Sequence, residues 1–354
     1  MSGASSMVSI PIIATRRSKL ALAQSREVAA DLVHHHKGLE VGFLPVETKG
    51  DQIRDRPLQD IGGKGLFVKE IEHALLRGDA RLAVHSVKDL PGELAPGLVL
   101  ACIPKREDPR DAFVSRSGCK LSELPRGAHV GTSSMRRRCF VSMMRPDLRL
   151  HYLRGNVDTR IRKVRGGQSN GAVVGGGSHD GGSYEGGTLD GSDLDGAVLA
   201  MAGLVRLGMA SEAAEVISTD VILPAVGQGA LGIECREDDH AMREILSVLH
   251  DPETAVAVAV ERGVMIGAGG SCRSPLAVHA CRDDDNVMWL RAFMADAGGS
   301  VWEMVDQTMD WPAVEVDALE LGVAVGVGLR ESLARRFGEK RGPGGFVQKN
   351  TASF

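Results

Sequence analysis

The chain has little cysteine: six in 354 residues, at positions 102, 119, 139, 235, 272 and 281, with no Cys-x-x-Cys pair. That spacing argues against a zinc site or a disulfide framework and fits a reducing compartment. No run of about 18 apolar residues occurs, so no transmembrane helix is expected. Residues 1–10 lack a charged segment followed by an apolar stretch, so no signal peptide is expected. The cytoplasm is the expected location, with a plastid possible after removal of a transit peptide. Neither sign of charge dominates: 42 Lys+Arg stand against 46 Asp+Glu, net −4. A general nucleic-acid binder is usually basic overall, so neither a nucleic acid nor a membrane is expected as a partner. The GxxxxGK[ST] pattern is absent, and Gly62-Gly63-Lys64-Gly65 alone does not make a P-loop.

What is present is an ordinary globular composition, 43% hydrophobic and 25% charged, long enough for two or three domains at roughly 100–200 residues each. Ser18 reads as the N-cap of a helix through Leu20, Gln24, Val28 and Leu32 that stops at Gly38. Val41–Val46 reads as a strand that Pro45 confines to an edge. An amphipathic helix over Leu66–Leu76, ending before Gly78, and strands at Leu82–Val84 and Leu98–Ile103 follow. This βαβ rhythm predicts a mostly parallel sheet with helices on both faces. It restarts after Lys105–Asp111: a strand ending at His129-Val130, a helix over Met135–Met144, a strand at Leu148–Leu153, a helix through Arg160 and Val164, and a strand-like run at Ala197–Ala202. Twelve of the 31 residues 166–196 are glycine, which reads as a low-complexity surface loop. Asp251-Pro252 opens a helix through Val256, Val260 and Val264. A glycine-rich loop at Gly267–Pro275, strands at Val287–Phe293 and Val301–Val305, and a helix over Ala313–Arg336 complete a smaller α+β unit. The expected division is residues 8–104 plus 228–247, then 110–223, then 250–337, with a loose tail at 338–354.

Basic residues cluster. Nine arginines between 136 and 165, with Lys163, fall within 30 residues, several of them where strand ends meet helix starts. Ligands of open α/β sheets bind at that edge, helix N-termini accept anions, and arginine grips carboxylates with two parallel hydrogen bonds. A polyanion pocket and a solvated helix face both fit this pattern. His85-Ser86-Val87-Lys88-Asp89 leaves a buried strand with an ammonium and a carboxylate side by side. That pair suits acid–base work or stabilisation of a cation, or is a surface ion pair. Cys272, between glycines and Arg273, is either a thiol of lowered pKa fit for covalent attachment or a buried structural residue. Gly227–Gly232 matches GxGxxG, but Pro224 precedes it and a strand-like run, Gly232–Cys235, follows. A tight loop crossing between domains explains it better than a dinucleotide site. His34-His35-His36 point around a helix end and make no metal site; no metal is expected.

Several segments together carry a resemblance: Ala14–Ala21 (ATRRSKLA), Gly62–Glu70 (GGKGLFVKE), His85–Pro91 (HSVKDLP), Gly131–Arg137 (GTSSMRR), Leu153–Arg160 (LRGNVDTR), Leu223–Gly229 (LPAVGQG) and the Gly270-Ser271-Cys272 loop. In this order, from about residue 10 to 336, the chain resembles the porphobilinogen deaminase (hydroxymethylbilane synthase) family. The resemblance implies two α/β domains like those of type II periplasmic binding proteins, with the active site between them, and a smaller α+β C-terminal domain. It implies a monomer that acts as a transferase: four porphobilinogen molecules are joined head to tail with loss of ammonia, and water releases 1-hydroxymethylbilane. The growing chain would be primed by a dipyrromethane cofactor bound to Cys272 through a thioether. Asp89 matches the catalytic aspartate. The match implies cofactor contacts from Lys88, Asp89, Ser134, Arg136, Arg137, Arg154, Gly155 and Gln228, and substrate contacts from Arg16, Ser18, Phe67, Arg160 and Arg206. Six linked pyrroles, each with two carboxylates, would carry about twelve negative charges, which an arginine-lined cleft can hold. The chain departs from the family in its long glycine-rich stretch, in Gly-Ser-Cys for the usual Gly-Gly-Cys, and in Asp60, where some members have a basic residue. A bi-lobed anion-binding protein without turnover is the alternative, and it has no use for a covalent anchor at Cys272.

Overall fold

The computed structural model describes residues 10–48, 50, 68–166, 194–270, 274–296 and 298–341. Asp60, Lys64, Phe67, Cys272 and residues 167–193 lie outside that set. The chain begins β1 (Ile12–Arg16), α1 (Lys19–His35), β2 (Gly42–Val46), α2 (Lys69–Arg77), β3 (Leu82–Ser86) and β4 (Leu98–Cys102). It continues β5 (Asp111–Ser115), β6 (His129–Gly131), α3 (Met135–Met144), β7 (Arg149–His151), α4 (Val157–Val164), β8 (Gly196–Ala200), α5 (Met201–Arg206) and β9 (Glu215–Ile217). Then come β10 (Leu231–Arg236), α6 (His240–Ser247), α7 (Pro252–Gly267), β11 (Leu276–Arg282), β12 (Val287–Ala295), β13 (Trp302–Asp310) and α8 (Glu315–Arg341).

Local chemistry sets these boundaries. The Ser18 hydroxyl accepts from the Ala21 N–H and starts α1, as Ser134 does for α3 from Arg137 and Asp251 for α7 from Thr254. Such caps satisfy donors the helix itself cannot. Gly78, at φ +77°, ends α2 in the left-handed conformation. Pro45 lies in β2, at the edge of its sheet. The apolar run at 197–202 divides: β8 ends at Ala200 and α5 begins at Met201, whose N–H donates to Arg110 O. A short apolar run does not itself distinguish strand from buried helix.

Two five-stranded sheets follow one plan. The first has the order β2-β1-β3-β10-β4 and the second β7-β6-β8-β5-β9. In the first, β1 pairs in parallel with β2 and β3, while β10 runs antiparallel to β3 and β4. In the second, β6 pairs in parallel with β7 and β8, while β5 runs antiparallel to β8 and β9. The sheets therefore match strand for strand, and each holds one reversed strand that sequence periodicity does not announce. The reversed strands are those just after the two crossings: β5 follows β4, and β10 follows β9. The molecule is α/β in its first two sheets, with a smaller α+β part in which β11, β12 and β13 form an antiparallel meander against α7 and α8. Phe293 of that meander packs against Phe140 of α3, with ring centres 4.6 Å apart and planes tilted by 43°, and joins the core around Phe113.

The crossings are tight. Gly227 (φ +64°) leaves 2.3 Å between a notional Cβ and the Val87 side chain, and Gly229 (φ +92°) 2.3 Å to Glu107 O. Only glycine fits either position. The GxGxxG spacing is thus explained by two backbones passing each other.

Candidate active site

The C-terminal end of β3 turns through one turn of 3-10 helix, Val87–Asp89. Val87 N–H donates to Ala230 O at 3.1 Å, and Leu90 N–H closes the turn on Val87 O at 3.0 Å. Val87 and Leu90 are buried, Lys88 is half-buried and Asp89 is exposed. Gln24 of α1 donates to Ser86 Oγ at 2.8 Å, and Ser25 to the buried Thr15 hydroxyl at 2.8 Å. These bonds tie the first turns of α1 to the ends of β1 and β3, where Arg16 and Ser18 also lie.

From the second sheet, β6 runs through Thr132–Ser134 into α3. Arg136 and Arg137 are both buried, and both meet Asp111 of β5: Arg136 Nη1 lies 2.8 Å from Oδ2 and Arg137 Nη2 2.8 Å from Oδ1. Gln228 donates to the same Asp111 Oδ1 at 2.8 Å and to Pro109 O at 2.7 Å, and accepts from Arg136 at 3.4 Å. Burial alone would raise the Asp111 pKa; the two guanidinium groups outweigh it and hold the carboxyl well below its usual range. One carboxylate against two guanidiniums leaves a net positive charge. Arg136 and Arg137 each also keep a buried Nε–H with no acceptor among the described residues. Ser134, Arg136, Arg137 and Gln228 therefore form one cluster around Asp111, with Arg136 also donating to Leu223 O and Arg137 to Val198 O.

The loop after β7 brings in the rest. Gly155, at φ +115°, accepts from Arg160 Nε at 2.8 Å, and Ser133 Oγ donates to Leu153 O at 2.7 Å. Burial above all, then Arg137 and Arg154, brings the Arg160 pKa down to about 10, with Asp89 opposing them. Burial lowers Lys88 to about 8; Asp89 and Asp111 act to raise it, Arg137 and Arg136 to lower it. Lys88 and Asp89 of the first sheet are thus in electrostatic reach of Arg136, Arg137 and Arg160 of the second, with Arg154 beside Arg160. An ion pair of 2.8 Å from Lys19 to Asp158 bridges the starts of α1 and α4 at the same side.

Arg206 is placed differently. Its guanidinium donates to Glu27 of α1 at 2.9 Å and to Gly229 O at 3.1 Å, and it is not among the charges acting on Lys88 or Arg160. Sequence reasoning missed Asp111, a charge at a strand start whose partners are 25 and 26 residues away. It also missed Glu261 of α7. That fully buried carboxylate takes both ends of Arg106, at 2.7 and 3.1 Å, and the N–H groups of Gly227 and Ala280. A charged stretch at 105–111 beside a glycine-rich crossing was the only available signal. Among the described residues no cluster of His, Cys, Asp and Glu is suited to a metal ion, and no helix is long and apolar enough to cross a membrane.

Fold and site define a protein of two matched α/β sheets whose facing ends present one exposed acid among buried and half-buried cations. The family model described as "Porphobilinogen deaminase, dipyromethane cofactor binding domain" matches residues 12–177 and 186–244. Porphobilinogen deaminase of Sorangium cellulosum is 49% identical over 319 residues, 90% of this chain and 98% of the relative. That of Syntrophotalea carbinolica is 44% identical over 324 residues, 92% of each. Among solved structures, the substrate binding domain of a putative molybdenum ABC transporter from Clostridium difficile matches with a TM-score of 0.38 and 8% identity, over 68% of this chain and 92% of that one. The chain belongs to the porphobilinogen deaminase family.

Proposed function

We propose that this chain is a hydroxymethylbilane synthase, a transferase that joins four porphobilinogen molecules head to tail, expels ammonia at each addition and releases the linear tetrapyrrole with water. One observation supports this reading above the others: Asp89 is an exposed acid on a pinned turn, with Lys88 of the first sheet and Arg160 of the second in electrostatic reach. Loss of ammonia from porphobilinogen leaves a cationic pyrrole, and a fixed carboxylate stabilises such a charge. The cations near Asp89 hold the acetate and propionate groups of the pyrroles.

In this reading Cys272 holds the dipyrromethane primer through a thioether, and the primer supplies the pyrrole end to which each unit is added. Lys88, Ser134, Arg136, Arg137, Arg154, Gly155 and Gln228 receive the primer's carboxylates, with Asp89 at its pyrrole nitrogens. Arg16, Ser18, Phe67, Arg160 and Arg206 serve the incoming substrate. The three parts act as domains with boundaries at 8–104 plus 228–247, 110–223 and 250–337. The protein works as a monomer in the cytoplasm.

The test is turnover with intact mass. The purified protein releases ammonia from porphobilinogen, and its mass exceeds the sequence mass by two pyrrole units, an increment that Cys272→Ser abolishes. Asp89→Ala folds but loses nearly all turnover. Binding of porphobilinogen without ammonia release would restore the alternative of an anion-binding protein. Activity within a few-fold of wild type in Asp89→Ala would remove that residue from its role.

A further inference from the structure

One helix, α7, touches both crossings and the loop that follows Asp89. On one side of α7, Glu261 grips both crossings through Arg106 and Gly227. The next residue, Arg262, turns elsewhere: its Nη2 donates to Pro91 O at 3.0 Å and to Gly92 O at 2.9 Å. Those carbonyls lie two and three residues beyond Asp89. One turn further along α7, Ile266 packs on the same loop, 3.1 Å from a notional Cβ of Gly92. The helix ends in a glycine-rich cap, with Gly270 N–H donating to Met265 O at 2.9 Å, two residues before Cys272.

Arg262 is buried, 8% exposed. Glu234 of β10, itself fully buried and 2.9 Å from His85, is the charge that offsets it. Burying such charges costs several kcal/mol per ion in rough terms, so an apolar residue would pack there more cheaply. What Arg262 provides instead is a two-carbonyl grip on the loop that follows the catalytic turn. The helix that bears it is immobilised from behind. A Cβ on Gly263 would lie 2.2 Å from Leu319 O of α8, and one on Gly326 of α8 2.2 Å from Val264 O. The two helices meet backbone to backbone, which leaves no room for α7 to roll or slide.

We propose that Arg262 is a positioning residue for the reaction: it holds the Lys88–Asp89 turn at a fixed place relative to α7. The inference rests on the reading of Asp89 and Cys272 given above. The turn is held on one side by the Val87 bond to Ala230 and on the other by Arg262. Catalysis is sensitive to displacements of about 1 Å, so loss of the second hold degrades the chemical step more than binding.

The experiment compares wild type with Arg262→Met and, as a variant that leaves the buried charges alone, Gly92→Val, whose branched side chain presses the loop off Ile266. Intact mass gives the fraction carrying the primer, and kcat and KM for porphobilinogen are measured per loaded molecule. Both variants should be loaded like wild type, with kcat down at least tenfold and KM changed less than threefold. In an Asp89→Asn background, Arg262→Met should lower the residual rate by less than twofold. A kcat per loaded molecule within twofold of wild type, in whichever variant folds, overturns the proposal, because a merely structural role lowers yield and not rate. A loaded fraction below half places the effect at the anchor and overturns it too, as do fully multiplicative losses in the double variant. Wild-type turnover in Asp89→Ala would instead sink the underlying reading of the site.

Discussion

Lys88 sits where its charge is hardest to keep. Burial brings its pKa from the usual lysine value down to about 8, although Asp89 and Asp111 favour the cation. The ammonium is therefore present below pH 8 and lost as pH rises through it. If it helps hold the carboxylates of porphobilinogen, KM should rise several-fold between pH 7.5 and 9. Lys88→Met should show a high KM that is flat over that interval. Arg160, whose pKa of about 10 lies well above it, does not titrate in the same window. An unchanged wild-type KM up to pH 9 would remove Lys88 from anion binding. The residue types of this site were legible in the sequence because strand-end motifs such as HSVKD and GTSSMRR put charge at sheet mouths. Their partners were not. Arg136 and Arg137 read as part of a polyanion pocket or a solvated helix face, yet both close on Asp111, a contact made by a reversed strand that no local pattern foretells.

At the level of elements, what local chemistry specifies was readable. Ser18 and Asp251 cap their helices as their sequence positions imply, and Gly78 stops α2. β1, β5, β9 and β11 were not picked out, and the reversed direction of β5 and β10 follows from tertiary crossings. The packing of α7 on α8 was also hidden, since glycine inside a helix pattern normally reads as weakness. Its cause is contact geometry, and the glycines of the pair can be sorted by it. Gly263→Ala places a methyl 2.2 Å from a backbone carbonyl, whereas Gly328 of α8 has nothing within 4 Å of its notional Cβ. Overpacking costs about 1–3 kcal/mol, against a helix-propensity gain of about 1 kcal/mol for alanine. Gly263→Ala should therefore destabilise by up to about 2 kcal/mol, while Gly328→Ala should stabilise by about 0.5–1 kcal/mol. Urea unfolding of the two variants checks the opposite signs; a stabilised Gly263→Ala would mean that the helices separate at no cost.

For the whole molecule, two half-buried imidazoles decide how it responds to acid. His151 of β7 stacks on His129 with ring centres 4.9 Å apart, and burial, then His129 and the arginines 138 and 149, lower its pKa to about 4. His279 of β11 is also brought to about 4, by burial above all, with Glu261 opposing. An unfolded histidine titrates near 6.5. Between pH 6.5 and 4 the unfolded chain therefore binds protons that the folded chain refuses, and stability falls as pH falls. The loss is at most about 3 kcal/mol for each histidine by pH 4, a large share of the 5–15 kcal/mol typical of folded proteins. Asp111 acts in a different window: its depressed pKa contributes stability above the unfolded value near 3.9 and loses it only below. Both histidines belong to the second and third sheets. Acid should thus loosen the Arg136–Asp111 side of the cleft and the meander while β1–β4 stay protected. Amide hydrogen exchange at pH 5 against pH 7 should show faster exchange in β7 and β11 than in β1 and β3. His151→Phe should flatten the pH dependence of urea unfolding between 6.5 and 4. Uniform exchange across all three sheets, or an undiminished slope in that variant, would mean that the acid response comes from carboxylates and not from these rings.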